Sequence, residues 1–300
     1  MKVKLVLFTL VGLVVIFAIF HNFVSTESFF GTIADDDSQP HFDFVLPDSN
    51  ICAGIRLNLK SAIAIDNETH RVLYSYNAND TVPIASISKL ITAMVVLDNY
   101  NPDSIISIIN EDCIESSRSL FRAGDRARVR DFLHAALMRS DNRAARALAR
   151  SVAGTIDDFA TKMNEKISDL GLKNTIMFEP TGLDNRNHST AADCAKLINS
   201  AMLYPEIPRI TSLQQYSFEL VNRRKTKNLT NTNKLVYSKY KILAGKTGYI
   251  SESAYCLTTV IEDDKGKKVT VVVLGAPGPQ TRFREARRLA AWAFSKIEKS

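Results

Sequence analysis

The sequence lacks closely spaced cysteines and contains no internal repeat. Its 300 residues include only four cysteines, with no C-x-x-C pair among them: Cys52, Cys113, Cys194 and Cys256. This spacing suggests neither a zinc knuckle nor a thioredoxin-type redox site, so no metal and no cofactor are expected. An oxidising compartment would permit disulfides, but the spacing favours no pairing over another, and buried free thiols agree with it equally well.

Dense clusters of basic residues are also scarce, although the net charge is +6 and the isoelectric point about 9.1. Lysines and arginines are spread along the chain, and only Arg223-Arg224-Lys225 stands out. A nucleic-acid partner is therefore not expected. A solvated basic face that meets an anionic cell wall is the simpler interpretation.

Acidic residues, lysine and arginine are absent from Leu5 to Thr26, and the run from Leu5 to Phe20 is entirely apolar except for Thr9. With Lys2 and Lys4 before it, this run predicts an export signal or a membrane anchor. Its length is near the lower limit of about 17 residues for a spanning helix, so both interpretations stay open.

We expect residues 1–24 to be a signal peptide or, in preference, an uncleaved anchor whose two lysines stay inside the cell. Residues 35–49 are mostly polar, acidic at the start and broken by Pro40 and Pro47, which predicts a tether over residues 25–51. Residues 52–300 are expected to form the catalytic domain. The domain would then be periplasmic, or would lie on the extracytoplasmic face of the cytoplasmic membrane.

Hydrophobic periodicity predicts strands at both ends of this domain and helices between them. Strands are predicted at 61–66, 71–76, 242–246, 254–262 and 268–274, and helices at 83–97, 131–138, 143–149, 155–171 and 282–297. Apolar residues surround much of the first helix, which predicts that it is central and buried. We expect an α+β fold whose terminal segments share one antiparallel sheet.

Three short motifs occur in a fixed order. They are Ser86-Ile87-Ser88-Lys89, Ser140-Asp141-Asn142 and Lys246-Thr247-Gly248. Each motif alone is a weak signal, but the ordered set is a known signature of penicillin-binding proteins and class A β-lactamases. The set predicts an acyl-transferring serine hydrolase.

The first motif can supply a nucleophile and its base. Residues three apart face the same side of a helix, so Lys89 is expected to reach the Ser86 hydroxyl. An ordinary lysine titrates near about 10.4, and general-base catalysis at neutral pH requires a pKa about 3 units lower. Burial and a second cation, Lys246, both act in that direction.

The other motif residues have roles around this pair. Ser140 is suited to pass a proton to a leaving nitrogen, and Asn142 to bond a peptide-like amide. Lys246 and Thr247 are expected to hold a substrate carboxylate. Gly248 permits close approach of the substrate to a strand. The Ser86 backbone N–H, near a helix start, is expected to be one oxyanion donor.

Across residues 61–294 the chain resembles the low-molecular-mass penicillin-binding proteins, the serine-type D-Ala-D-Ala carboxypeptidase family. Beyond the three motifs, the resemblance rests on Phe178-Glu179-Pro180-Thr181-Gly182-Leu183, Asn187-His188-Ser189-Thr190-Ala191-Ala192-Asp193, Asn231-Thr232-Asn233 and Arg282-Phe283-Arg284-Glu285. The segment 137–145 is most similar to the D-alanyl-D-alanine endopeptidase branch. One departure is Ser253-Ala254-Tyr255-Cys256, where the family usually carries Ala-Gly before the cysteine; it could narrow or reshape the cleft.

The resemblance implies a β-lactamase/transpeptidase-like α+β fold. A five-stranded antiparallel sheet would be flanked by helices, with the active site between the sheet edge and a helical lobe. It also implies that the Tyr249 N–H is the second oxyanion donor. Arg282, or else Arg284, would help to bind the terminal carboxylate. The implied substrates are peptidoglycan stem peptides ending in D-Ala-D-Ala, which Ser86 would attack, and β-lactams would inhibit by acylating the same serine.

Three alternatives stay open beside this serine D-Ala-D-Ala carboxypeptidase. A D,D-endopeptidase would cut peptidoglycan cross-links with the same residues. A serine β-lactamase would need a carboxylate to activate water for deacylation, for which Glu179 is the candidate. The endopeptidase branch also carries Glu-Pro-Thr-Gly-Leu, which weakens that argument. A non-catalytic wall-binding module is the third alternative, but binding alone gives no evident need for both lysines.

Overall fold

The fold is described from a computed structural model for residues 42–52, 54–114 and 119–298. The expected anchor, 1–24, and most of the expected tether lie outside the described residues. Phe42, Phe44 and Leu46, near the end of that tether, pack against the core of the domain. Within the described ranges, no helix combines the length and the hydrophobicity needed to cross a membrane.

A five-stranded antiparallel sheet forms the centre of the domain. Its strands are β1 (Ser61–Asp66), β2 (Val72–Tyr76), β9 (Lys241–Ile250), β10 (Ala254–Glu262) and β11 (Lys268–Ala276). They lie in the order β2-β1-β11-β10-β9. In register, Ser61 lies opposite Leu274, and Lys246 lies opposite Thr258. The prediction that the terminal segments share one sheet is confirmed, and β9 forms one of its edges.

Both faces of the sheet are covered, as the buried residues of β1 indicate. Alternate residues of β1 enter two separate hydrophobic clusters: Ile63 and Ile65 belong to the larger one, and Ala62 and Ala64 to the smaller. This alternation follows from the two-residue period of a strand. The central sheet is therefore sandwiched between a helical lobe and the C-terminal helix.

Seven α-helices occur in the part of the chain that the structure describes. They are α1 (Lys89–Asn99), α2 (Val129–Met138), α3 (Asn142–Ala153), α4 (Ile156–Asp169), α5 (Ala191–Ala201), α6 (Glu206–Thr211) and α7 (Thr281–Ile297). The predicted central helix is α1, which is buried from Lys89 to Val96. The Thr155 side chain accepts a hydrogen bond from the Asp158 N–H at the start of α4, as the sequence predicts.

Short strands outside the main sheet were not predicted. They pair as β3 (Val82–Pro83) with β6 (His188–Ser189), β4 (Ile105–Ser107) with β5 (Arg126–Arg128), and β7 (Gln215–Glu219) with β8 (Thr226–Thr230). The first pair anchors the segment before α1, and the last leads into Asn231-Thr232-Asn233. The segments that follow the first and the last of these pairs both reach β9.

Candidate active site

Ser86 and Lys89 meet at the start of α1, as the spacing predicts. The Lys89 Nζ donates to the Ser86 Oγ at 2.9 Å. Ser86 does not lie in the α-helix itself but in a 3₁₀ turn, Ala85–Ser88, that leads directly into it. Ala85 has φ +48°, which lies outside helical geometry, so the backbone changes direction before the regular helix begins.

Two glycines, Gly182 and Gly248, lie against the backbone of this turn. A Cβ atom at Gly182 would lie 2.0 Å from the Ala85 carbonyl oxygen, and one at Gly248 would lie 2.6 Å from the Ile84 carbonyl oxygen. Neither position can accept a side chain unless the turn moves. Gly248 also lies beside the Ser86 amide, since its Cβ would be 3.3 Å from the Ser86 nitrogen. The tight turn thus holds the nucleophile against β9.

Lys89 is fully buried and donates three hydrogen bonds. Besides Ser86, its acceptors are the Asn142 Oδ1 at 2.7 Å and the Thr181 carbonyl oxygen at 2.5 Å. Burial lowers the pKa of Lys89 to about 8, although Glu179 and Asp141 act in the opposite direction. Roughly a tenth of the lysine is then neutral at pH 7, which suits a general base.

Ser140 and Lys246 form a second serine–lysine pair. The Lys246 Nζ donates to the Ser140 Oγ at 2.5 Å and to the Thr247 carbonyl at 2.9 Å. Ser140 has φ +60°, a conformation that turns the chain between α2 and α3. The neighbouring Asp141 caps α3 by accepting from the Ala144 N–H and also accepts from the Ser119 hydroxyl, so its carboxylate has a structural role.

Lys246 is also fully buried, and its pKa is lowered well below the usual range. Burial is the largest cause, followed by repulsion from Lys89 and then from Arg282. Burial is the largest cause for both lysines, which agrees with the predicted effect of burial on Lys89. The two ammonium groups repel each other, and this repulsion contributes to the lowered pKa of Lys246. Because two buried ammonium groups repel each other, the site disfavours the state in which Lys89 and Lys246 are both protonated.

Groups suited to a carboxylate lie along β9. The Thr247 hydroxyl is 2.7 Å from the Thr232 hydroxyl, and the Arg282 Nη1 donates to the Gly248 carbonyl at 2.9 Å. The Arg282 Nε is buried, with no hydrogen-bond partner among the described residues. Arg284 instead pairs with Glu285 at 2.9 Å. Of the two candidate arginines, Arg282 is the one that contacts the edge strand.

The departure from the family pattern lies at the start of β10, opposite the segment of β9 that follows Thr247. Ala254 takes φ +52°, a conformation that favours glycine, and Tyr255 stacks on Tyr249 with 4.2 Å between ring centroids. The Tyr249 side chain is about half exposed. An aromatic pair therefore flanks the strand segment whose Tyr249 N–H is the expected oxyanion donor.

Sequence reasoning missed two groups at the site. The Thr181 carbonyl accepts from Lys89 and, at 3.2 Å, from the Ser86 hydroxyl. The Thr232 hydroxyl bonds both Thr247 and the Met138 carbonyl, so it links β9 to the end of α2. Both residues lie in segments that carry the family resemblance, and this was the only available signal, because a backbone carbonyl has no residue signature.

Comparisons with known proteins agree with this geometry. Residues 50–278 match the family described as D-alanyl-D-alanine carboxypeptidase, peptidase S11. The chain is 39% identical over 237 residues to a D-alanyl-D-alanine endopeptidase of Pseudomonas aeruginosa, covering 77% of this chain and 76% of that protein.

Solved structures show the same fold. The Streptomyces K15 DD-transpeptidase superposes with a TM-score of 0.75 at 27% identity, covering 80% of this chain and 98% of that one. Penicillin-binding protein D2 from Listeria monocytogenes, in a cefotaxime-bound form, gives 0.72 at 30% identity, with 80% and 99% covered. The resemblance and the predicted fold are confirmed, and the chain belongs to the D-alanyl-D-alanine carboxypeptidase family, peptidase S11, as a serine peptidase.

Proposed function

We propose that the protein removes the terminal D-alanine from peptidoglycan stem peptides through an acyl-enzyme on Ser86. The observation that carries this proposal is the meeting of two serine–lysine pairs, Ser86 with Lys89 and Ser140 with Lys246. A buried lysine of lowered pKa beside a serine hydroxyl supplies both a nucleophile and its base.

Acylation begins when neutral Lys89 takes the proton of Ser86. The Ser86 Oγ then attacks the carbonyl carbon of the penultimate D-alanine, and the Ser86 and Tyr249 N–H groups bind the oxyanion. As the C–N bond breaks, Ser140 passes a proton to the leaving amine of the terminal D-alanine and takes one from Lys246, which donates to its hydroxyl. The proton that Lys89 took from Ser86 keeps the total number of protons on the two lysines unchanged. Water then cleaves the ester, which releases the shortened peptide as an acid and restores the Ser86 hydroxyl.

The substrate's terminal carboxylate is assigned to Lys246, Thr247 and Arg282. A carboxylate here would relieve the repulsion between buried cations that lowers the pKa of Lys246. Asn142 accepts from Lys89 through its oxygen, so its nitrogen is the end that would donate to a carbonyl of the substrate. Gly248 makes room for the Ile84 carbonyl of the turn, and only its backbone would lie beside a peptide on β9. β-Lactams would acylate Ser86 by the same route, in agreement with the cefotaxime-bound relative.

Cleavage of peptidoglycan cross-links is the second candidate. It is favoured by the 39% identity to an endopeptidase over 77% of the chain. A cross-linked substrate presents the same D-Ala peptide bond with a larger leaving group. Assays on defined muropeptides, one with a free D-Ala-D-Ala end and one cross-linked dimer, would separate the two activities by their products.

A β-lactamase activity that depends on Glu179 finds less support. Both oxygens of its carboxylate already accept several hydrogen bonds from its own loop. A non-catalytic wall-binding module does not account for two buried lysines, each bonded to a serine hydroxyl.

We further propose that the enzyme acts outside the cytoplasmic membrane. Residues 1–24 would serve as an uncleaved anchor or a signal peptide, residues 25–51 as a tether, and residues 52–300 as the catalytic domain. The apolar run behind Lys2 and Lys4 supports this arrangement, as does the cell-wall substrate.

Release of D-alanine from a D-Ala-D-Ala tripeptide tests the proposal directly. Ser86→Ala should abolish release, because losing such a nucleophile typically costs on the order of 10⁶ in rate. Ser151→Ala is the control and should keep normal release, since its hydroxyl donates to the Ala147 carbonyl of its own helix α3. Retained hydrolysis by the Ser86 variant would overturn the assignment.

A further inference from the structure

Glu179 begins the loop formed by residues 179–184, and its carboxylate accepts hydrogen bonds from the rest of that loop. One oxygen, Oε2, accepts from the Thr181 N–H at 2.7 Å and from the Thr181 hydroxyl at 2.5 Å. The other, Oε1, accepts from the Gly182 N–H at 2.5 Å and the Leu183 N–H at 3.0 Å. The Asn187 side chain donates to the same oxygen at 3.1 Å. The backbone N–H groups of residues 181–183 thus donate to the Glu179 carboxylate and not to backbone carbonyls.

This arrangement places the Thr181 carbonyl beside Ser86 and Lys89. Glu179 accepts from the Gly182 N–H, and the Thr181 carbonyl of the same trans peptide therefore points away from the carboxylate, toward the catalytic pair. It accepts from the Lys89 Nζ at 2.5 Å and from the Ser86 Oγ at 3.2 Å. It is the one acceptor shared by the nucleophile and its base within the described residues.

The same loop also fixes the turn that carries the nucleophile. The Pro180 carbonyl accepts from the Thr92 hydroxyl of α1 at 2.8 Å. Gly182 lies so close to Ala85 that no side chain fits between them. If this loop moved by about 1 Å, it would therefore displace both Ser86 and the Thr181 carbonyl that accepts a hydrogen bond from it. Displacements of this size cost about 100-fold in rate when reacting groups must be aligned.

We propose that Glu179 is a positioning residue for acylation, holding the Thr181 carbonyl against Ser86 and Lys89, and not the base that activates water for deacylation. This inference rests on the proposed function of Ser86 as the acylated nucleophile. A hydrolytic base needs an oxygen that can accept a proton from water, whereas these two oxygens are occupied by donors that belong to the loop.

The charge of Glu179 gives the proposal a second, independent readout. Lys89 faces two carboxylates, Glu179 and Asp141, and one like-charged group, Lys246, with Arg282 beyond it. Glu179 favours the ammonium form of Lys89. Removing its charge therefore lowers the pKa of Lys89, and the rise of the acylation rate with pH should begin at a lower pH.

The test compares Glu179→Gln, Glu179→Asp and Asp184→Asn in the full-length chain with the wild type. The second-order rate of Ser86 acylation by a fluorescent penicillin is followed from about pH 5 to about pH 10. The decay of the isolated acyl-enzyme is followed by intact mass. Asp184→Asn is the matched control, because that carboxylate lies in the same loop but pairs with Arg186 and does not shift the pKa of Lys89.

For Glu179→Gln we expect acylation about 10- to 100-fold slower at high pH, with its rise shifted to lower pH. Glu179→Asp keeps the charge but shortens the side chain, so it should slow acylation without shifting the rise. Asp184→Asn should match the wild type in both respects. Decay of the acyl-enzyme should be unchanged in all three variants.

Normal acylation by Glu179→Gln followed by a stalled acyl-enzyme would overturn the inference and make Glu179 the hydrolytic base. Slower acylation with an unshifted rise in Glu179→Gln would also contradict it, because the charge of Glu179 would then not act on Lys89. If Glu179→Gln does not fold, Glu179→Asp decides, since a wild-type acylation rate in that variant contradicts positioning. Absence of labelling in the wild type would instead refute the proposed function itself.

Discussion

Ser140 and Lys246 are 106 residues apart in sequence, yet their side chains meet at 2.5 Å. The contact joins the connection between α2 and α3 to the edge strand β9, so it ties the helical lobe to the sheet across the cleft. Lys246 has no carboxylate partner among the described residues, and its pKa is lowered well below the usual range by burial, by Lys89 and by Arg282. An anionic group of the substrate is the missing partner that this geometry favours.

Lys246→Ala should therefore weaken the handling of substrates with a free terminal carboxylate most strongly. A hydrogen bond to a charged group contributes about 1.5 to 3 kcal/mol, which corresponds to about 10- to 100-fold in kcat/KM. The measurement compares a D-Ala-D-Ala peptide with its methyl ester, using the wild type as reference. Equal losses for both substrates would contradict a role in carboxylate binding.

Acylation should accelerate with rising pH and level off above about pH 8. The neutral form of Lys89 is the active base, and burial lowers its pKa to about 8, so the rate should fall about tenfold per pH unit below that value. Because Lys89 and Lys246 are coupled, the observed midpoint belongs to the pair. Rates of penicillin acylation in a buffer series test this, and a flat profile between about pH 6 and about pH 9 would disprove it.

Gly182→Ala should damage both stability and labelling. Its φ of +76° strains any side chain, and a Cβ there would lie 2.0 Å from the Ala85 carbonyl oxygen. We expect the free energy of unfolding to fall by about 2 to 4 kcal/mol and Ser86 labelling to slow. Gly171→Ala is the control, because φ there is +61° but no described atom lies within 4 Å of the new Cβ. Its unfolding free energy should fall by only about 1 kcal/mol, with normal labelling; equal effects in thermal melts would show that the contact with Ala85 is unimportant.

Arg282→Ala should raise KM for peptides with a free carboxylate, whereas Arg284→Ala should not. Arg282 contacts the Gly248 carbonyl and has an unpaired buried Nε among the described residues, while Arg284 is paired with Glu285. The expected increase is about 10-fold, the lower end of the range for a charged hydrogen bond. Initial rates over a range of peptide concentrations measure it. A larger effect at Arg284 would transfer the carboxylate contact to the other arginine.

The main elements of the fold could be predicted from sequence because each has a strong local signal. The largely apolar runs of β1, β10 and β11, bounded by polar turns, and the capping residue Thr155 are properties of neighbouring positions. The strands β3 and β6 could not be predicted in this way, since two residues are too few to show a period.

The meeting of Ser86 with Lys89 was likewise predictable, but the groups that support this pair were not. Ser86 and Lys89 are brought together by helical spacing alone, whereas the Thr181 carbonyl reaches them from 95 and 92 residues away. The lowered pKa values of the two lysines also depend on burial, which is a property of the packed domain. The location of the N-terminal segment stays a prediction.

The most direct test of the account is the intact mass of residues 50–300 after brief exposure to penicillin, with Ser86→Ala measured alongside. The account predicts one persistent adduct of the drug on the wild-type protein and none on the variant. Loss of drug without an adduct would indicate a β-lactamase. An unmodified protein beside intact drug would contradict a reactive Ser86 altogether.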